Sequence, residues 1–234
     1  MDVKEFDQFA DEYDKLLTDA TFRITGEEPE YFVEYKISDL KCVSESSGFN
    51  VSKILDFGVG VGNSIPCLAN YFPNVDLYGV DVSDRSVDIA RQRFGELCQF
   101  KTFDGEKLPY EDSQFDLVIA AVVFHHIPLT QHEVLIREIN RILRHGGLFM
   151  VYELNPLNPL TRYISKTCPF DKNAVLLKQN KMISILKNAG MEIFTYEYRM
   201  FFPKALNRLR VFEHYLKWLP LGGQYFVVAR KINT

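Results

Sequence analysis

The stretch LDFGVGVGNS, Leu55 to Ser64, sets Asp56, Gly58, Gly60 and Gly62 at alternate positions after a short apolar run. A glycine turn of this kind lets a ligand come close to the backbone. A dinucleotide fingerprint would need a third glycine at position 63 in one frame or 65 in the other, and those positions hold Asn63 and Ile65. A Walker A loop would need Gly-Lys-Ser/Thr, which does not follow. Two further acids close later apolar runs, Asp81 in YGVDVS and Asp104 in FKTFDGEKLPY. Asp81 lies about as far past the glycine turn as a ribose-binding carboxylate is expected. As neighbouring strands, the three runs deliver Asp56, Asp81 and Asp104 to one sheet edge. One carboxylate can accept from a vicinal diol, one from an exocyclic amine, and one can hold a cationic amino group. The set suits an adenosine ligand with a positively charged end. It suits a pyrophosphate poorly, because three carboxylates repel it.

His125 and His126 stand together in VVFHHIP. An unperturbed imidazole titrates near pH ~6.5, which suits proton removal at neutral pH. Either is a candidate general base or acceptor-binding group, and the plainer reading is one buried and one surface histidine. Arg23, in FRITGEEPEYF, and Arg162, in a Pro-rich stretch, are candidate substrate contacts, with a surface salt bridge as the plainer reading of each.

Short β-branched runs bounded by turn residues read as strands over Lys53–Phe57, 76–82, 98–103, 115–123, 147–154, 191–201 and 224–230. Helical patterns lie between most of them: 63–71, Asp84–Phe94 behind the N-cap Ser83, 130–144 with Thr130 and Glu133 at capping-box spacing and Gly146 as its stop, and 178–188. Alternating strands and helices imply a parallel sheet covered on both faces, with ligands beyond the carboxyl ends of the strands. Residues 1–50 read as a helical N-terminal cap, 51–154 as the ligand-binding core, and 155–234 as the substrate side of a single domain. Within the last, 153–174 reads as a long loop and 201–220 as a helix inserted before the final strand.

The 234 residues suffice to bury a core without disulfide or metal. Cys42, Cys67, Cys98 and Cys168 show no paired spacing, which argues against a structural zinc site and suits a reducing cytosol. The acidic start has no apolar signal region, and the longest apolar run, Leu117 to Phe124, is too short to span a bilayer. A cytoplasmic location is expected. A net charge of −4 argues against a nucleic-acid partner. Segment 203–220 carries Lys204, Arg208, Arg210 and Lys217 beside Leu206, Leu209, Phe212, Leu216 and Leu219. It reads as a helix packed on the domain or as a basic amphipathic surface that meets a membrane or a lipid-linked acceptor.

Taken in order, LDFGVGVGNS, GVDVS, FDGEKLPYEDSQFDLVIAAVVFHHI and EINRILRHGGLFMVYE resemble class I S-adenosylmethionine-dependent methyltransferases over residues 53–153. The likeness is greatest to the small-molecule branch that includes quinone-type methyltransferases. It implies a Rossmann-like, doubly wound, seven-stranded α/β sheet whose last strand is antiparallel. It implies S-adenosyl-L-methionine as cofactor, with Gly58 and Gly60 near its methionine portion, Asp81 on the ribose, Val82 on the adenine face and Asp104 with Gly105 at the adenine edge; Gly62 and Asp56 are cofactor-contact candidates from the glycine turn itself. The backbone near Ala120 and Ala121 would meet the amino-acid end, and Tyr13 in FADEYD would cover the methionine portion. The implied reaction is methyl transfer to oxygen or carbon of a small-molecule or lipid-linked acceptor, with no metal required. The rivals are an NAD(P)-dependent oxidoreductase, disfavoured by Asn63 and Ile65, and a non-catalytic cofactor-binding protein of the same fold.

Overall fold

The computed structural model describes residues 22, 25–168, 171 and 173–232. Helix α1 (Pro29–Ser46) precedes strand β1 (Lys53–Phe57), α2 (Ile65–Tyr71), β2 (Asp76–Asp81), α3 (Asp84–Phe94), β3 (Cys98–Thr102) and β4 (Phe115–Ala121). A 3₁₀ turn, Phe124–His126, leads to α4 (Leu129–Ile142), β5 (Leu143–Leu154), α5 (Pro159–Thr167), α6 (Gln179–Asn188) and β6 (Met191–Arg199). A 3₁₀ segment, Lys204–Phe212, then α7 (Glu213–Leu216), separates β6 from β7 (Gln224–Lys231). The seven strands form one sheet in the order β3-β2-β1-β4-β5-β7-β6. β1 to β5 pair in parallel, and β7 runs antiparallel to both β5 and β6. This is the architecture expected above. Strand order reverses between β1 and β4, so the carboxyl ends there open a crevice.

The sheet is covered on both faces. Leu55, Val118, Phe149 and Val151 pack with Leu135, Ile136 and Ile139 of α4 and Met182 and Leu186 of α6. Ile54, Leu117, Ile119 and Met150 face the other way, onto Ile37 and Leu40 of α1, Leu68 of α2 and Val87 and Ala90 of α3. Burial of each large aliphatic side chain stabilises by about 1.5–3 kcal/mol. At the opposite end from the crevice, buried Asp116 accepts from Ser52 N at 2.6 Å and Lys53 N at 3.0 Å and pairs with Arg144 Nε at 2.6 Å, which fixes β1 against β4.

Three local expectations are corrected. The stretch 153–174 is not one loop. Asn158 caps α5 by accepting from Thr161 N at 3.0 Å, and Pro159 sits in the first turn, where its missing N–H costs nothing. The insertion is not one helix, because Leu206 has non-helical angles inside a 3₁₀ segment. α4 has no capping box: it begins behind Pro128 without a side-chain cap and ends at Ile142, where β5 takes over. Gly146, at φ +75°, lies in that strand near its register shift instead of closing the helix.

Candidate functional site

The turn after β1 is shaped by glycine. Gly58 has φ +76°, and a Cβ there would lie 2.6 Å from Val123 Cγ2, so only hydrogen fits. Gly60 has φ +53°, but a Cβ on it would meet nothing within 4 Å. The backbone at Gly60 therefore faces open space, a cradle that a ligand can occupy. Gly62 does a different job: a Cβ there would press on Phe94 and Ala90 of α3. The turn is held from β2, where Asp81 Oδ2 accepts from Gly60 N at 2.8 Å and Oδ1 from Ser83 N at 3.0 Å.

Asp56 is buried at the end of β1 and accepts a hydrogen bond from Ser64 Oγ. Burial pushes its carboxyl up to about 7, against the Ser64 bond and with the help of the Asp81 charge. Lys36 of α1 is buried against the same space. Burial lowers its ammonium to about 8, opposed by the charges of Glu153 and Asp56.

Past β4 the chain carries Val122 at φ +63°, a strained angle for a β-branched residue. Glu153, buried at the end of β5, holds this turn. Its Oε1 accepts from Val123 N at 3.0 Å and Phe124 N at 2.7 Å, and its Oε2 lies 2.8 Å from His125 Nδ1. Asp171 Oδ1 lies 3.6 Å from the Nε2 atoms of both His125 and His126. Burial disfavours a charged His125, but Glu153 first and then Asp171 outweigh it and raise its pKa to about 9. His126 is pushed down to about 4 by burial and by its charged neighbour.

These groups share one cavity of about 860 Å³. Gly58, Gly60, Asp56, Asp81 and Val82 line one part, and His125, His126 and Asp171 another. Tyr31 and Phe32 of α1, Leu160 and Ile164 of α5, and Phe201 and Phe202 complete an apolar wall. Glu213 secures the mouth by accepting from Phe201 N and Phe202 N at 3.0 Å each and from Tyr35 Oη at 2.8 Å. Arg210 pairs with Glu27 at 2.5 Å and lies over the Tyr31 ring at 4.6 Å.

The remaining candidates fall elsewhere. Ala121 lines the cavity, whereas fully buried Ala120 does not. Asp104 is turned to its own loop, accepting from Glu106 N and Lys107 N at 2.9 Å each, and those bonds hold its carboxyl below the usual range. Neither Asp104 nor Gly105 is a wall of the cavity, although Gly105 neighbours Val82. Gly62 is also not a wall residue. Arg162 is exposed on α5, away from the cavity, because the helix turns Leu160, Thr161 and Ile164 inward instead. Tyr13 and Arg23 lie outside the described residues.

Residues 55–151, the core of this chain, match the family model for a methyltransferase domain. The chain is 27% identical over 156 residues to demethylmenaquinone methyltransferase of Thermotoga maritima, an alignment covering 67% of this chain and 62% of that one. It is 31% identical over 109 residues to sterol 4-C-methyltransferase of Caenorhabditis elegans, covering 44% and 31%. These matches span about one third to two thirds of the relatives' lengths. A Thermotoga maritima SAM-dependent methyltransferase structure superposes with a TM-score of 0.70 at 21% identity, covering 97% and 98% of the two chains, and supports the fold.

S-adenosylmethionine is the cofactor of this methyltransferase family, and the residues present fit it: an open cradle over Gly60, the Asp81 carboxylate on the cavity wall and buried ionisable groups of opposite sign at Asp56 and Lys36. Sequence reasoning missed Lys36, Glu153 and Asp171. Lys36 had a signal, since it falls on the apolar stripe Val33-Lys36-Ile37-Leu40. Glu153 had a weaker one, a lone acid ending an apolar strand. Asp171, in an irregular stretch, had none.

Proposed function

We propose that this methyltransferase transfers a methyl group to oxygen or carbon of a small, largely apolar acceptor. The carrying observation is that the glycine cradle and the histidine group are walls of one cavity. When bound, S-adenosylmethionine supplies a methyl carbon activated by a sulfonium. The chain binds and aligns it. Asp81 takes the ribose hydroxyls and Val82 packs on the adenine. Asp56 faces the cationic amino group, Lys36 the carboxylate, and the backbone at Ala121 the same amino-acid end. Tyr31, Phe32, Phe201 and Phe202 exclude water and hold the acceptor, so that alignment supplies much of the rate. His125, His126 and Asp171 form the polar end that meets the reacting atom.

A lipid-linked acceptor is favoured by the rim. Val211, Phe212, Tyr215 and Trp218 are 54–75% exposed. Over 155–168 and 200–223 the only acid is Glu213, which is buried, while Arg162, Lys166, Lys204 and Arg208 are exposed. Asn155 and Asn158 bond to the carbonyls of Pro220, Gly222 and Leu221, joining the two segments into one face. An apolar, basic rim suits an anionic membrane surface. The test is a panel of phenolic, quinol, sterol and fatty-acid acceptors incubated with S-adenosylmethionine and read by mass spectrometry for a gain of one methylene mass. Turnover of an apolar member supports the reading. Transfer to nucleic acid alone contradicts it.

A further inference from the structure

His125, His126 and Asp171 place one donor atom each within 4.8 Å of one another on the cavity wall. The two imidazole Nε2 atoms each stand 3.6 Å from the same Asp171 oxygen. Donors bound tetrahedrally at zinc-like lengths are separated by roughly 3.4 Å, so a small inward shift brings all three onto one ion. His125 Nε2 is fully buried and, among the described residues, has no hydrogen-bond partner; an Asp171 oxygen lies 3.6 Å away, just beyond bonding reach. Glu153 holds the other ring nitrogen, Nδ1, at 2.8 Å, which turns Nε2 toward the cavity. A carboxylate behind a histidine is the arrangement that orients imidazole ligands at metal centres.

The backbone holds the third donor in place. Val175 N donates to His125 O at 2.8 Å, and Asp171 N donates to Cys168 O at 3.1 Å, so the segment carrying Asp171 is tied to the histidine turn. We propose that His125 Nε2, His126 Nε2 and Asp171 Oδ1 form a binding site for a divalent first-row transition ion, with the remaining coordination position open to the cavity. Two imidazoles and one carboxylate select zinc, iron, cobalt or nickel over magnesium and calcium, which take oxygen donors. Three protein ligands with an open position characterise catalytic rather than structural ions. The ion would bind an oxygen of the acceptor and lower its proton affinity. That consequence, but not the ion site itself, rests on the proposed function.

The test titrates chelator-stripped protein with Co²⁺, followed by calorimetry and visible absorption, and repeats it with Zn²⁺ in competition. The expected result is one site per chain, tetrahedral or five-coordinate Co²⁺ bands, and displacement by Zn²⁺. His126→Ala and Asp171→Asn abolish the bands, and Glu153→Gln weakens binding about 10–100-fold. The thermal shift with S-adenosylhomocysteine is measured on every variant, and its retention shows an intact fold. Absence of bands in wild type, or bands unchanged in both ligand variants, overturns the proposal and leaves His125 as an imidazolium between two carboxylates. Cofactor binding with no metal refutes the ion site alone, and metal binding with no cofactor shift refutes the methyltransferase reading alone.

Discussion

Asp81 and Gly60 are bound to each other across 21 residues of sequence, the carboxylate accepting the glycine amide at 2.8 Å. The acid that would take the ribose also sets the turn beneath the cofactor. The neighbouring glycines then separate folding from binding. Gly58→Ala forces a Cβ into Val123 and costs roughly 1–3 kcal/mol of stability. Gly60→Ala meets open space, so its cost stays near 1 kcal/mol while cofactor affinity falls more steeply. Chemical denaturation and calorimetry with S-adenosylhomocysteine, run on both variants, separate the two effects.

Asp56 makes stability and binding oppose each other in pH. Its folded pKa, about 7, stands above the unfolded value, 3.8. Its stabilising contribution is therefore full below pH 3.8 and lost as pH rises through 7. Asp56→Asn removes that loss and gains on wild type between pH 5 and 8, by a few kcal/mol at most. Affinity for S-adenosylhomocysteine moves oppositely in wild type, weakening as pH falls below about 7 and the carboxylate is lost. A flat difference between wild type and Asp56→Asn across that range would refute the burial argument.

Lys36 has the opposite sign. Its folded pKa is lowered to about 8, so its contribution is present above 10.5 and lost as pH falls through 8. Near pH 7 the unliganded protein carries a buried ammonium, and Lys36→Met raises its melting temperature. The same change weakens S-adenosylhomocysteine about 10–100-fold, on the scale of a charge-assisted bond. It leaves a decarboxylated analogue nearly unaffected. Equal losses for both ligands would remove the carboxylate role.

Glu153 is a structural acid with three neighbours to satisfy. Glu153→Ala strands His125 Nδ1 and the amides of Val123 and Phe124 in a buried site, and costs about 3–5 kcal/mol. Glu153→Gln keeps an acceptor and costs less. Urea midpoints order the three proteins.

The rim predicts vesicle binding. Flotation with vesicles rich in anionic lipid retains wild type, and Trp218→Ser with Tyr215→Ser releases it, because these side chains are 75% and 71% exposed. Lys204→Glu with Arg208→Glu releases it too. Retention of all three proteins alike, or of none, contradicts a membrane-facing rim.

Most of the sheet was legible because its strands are short β-branched runs and its ligand end is punctuated by glycine. β1 and α3 fall where their residues place them, α3 behind Ser83, whose hydroxyl accepts from Ser86 N. Asp56 and Asp81 were legible for the same reason, as acids at strand ends. Asp104 looked alike in sequence, yet its carboxylate is engaged by its own turn, a local competition that spacing does not reveal. In sequence the Asn-Pro pair reads as a break, whereas Asn158 and Pro159 start a helix on which Arg162 is exposed. Asp171 is brought to the histidines by long-range contacts alone, which no local pattern encodes.

The most direct measurement is thermal unfolding of wild type and Asp81→Ala with S-adenosylhomocysteine, and in parallel with NADH. Ligand at about 100 times its dissociation constant adds roughly 2.7 kcal/mol, which for a chain of this size raises the midpoint by roughly 5–11 °C. The expected result is that rise in wild type with S-adenosylhomocysteine only, and none in folded Asp81→Ala. A rise with NADH instead, or an undiminished rise in Asp81→Ala, would contradict the placement of S-adenosylmethionine in the glycine cradle.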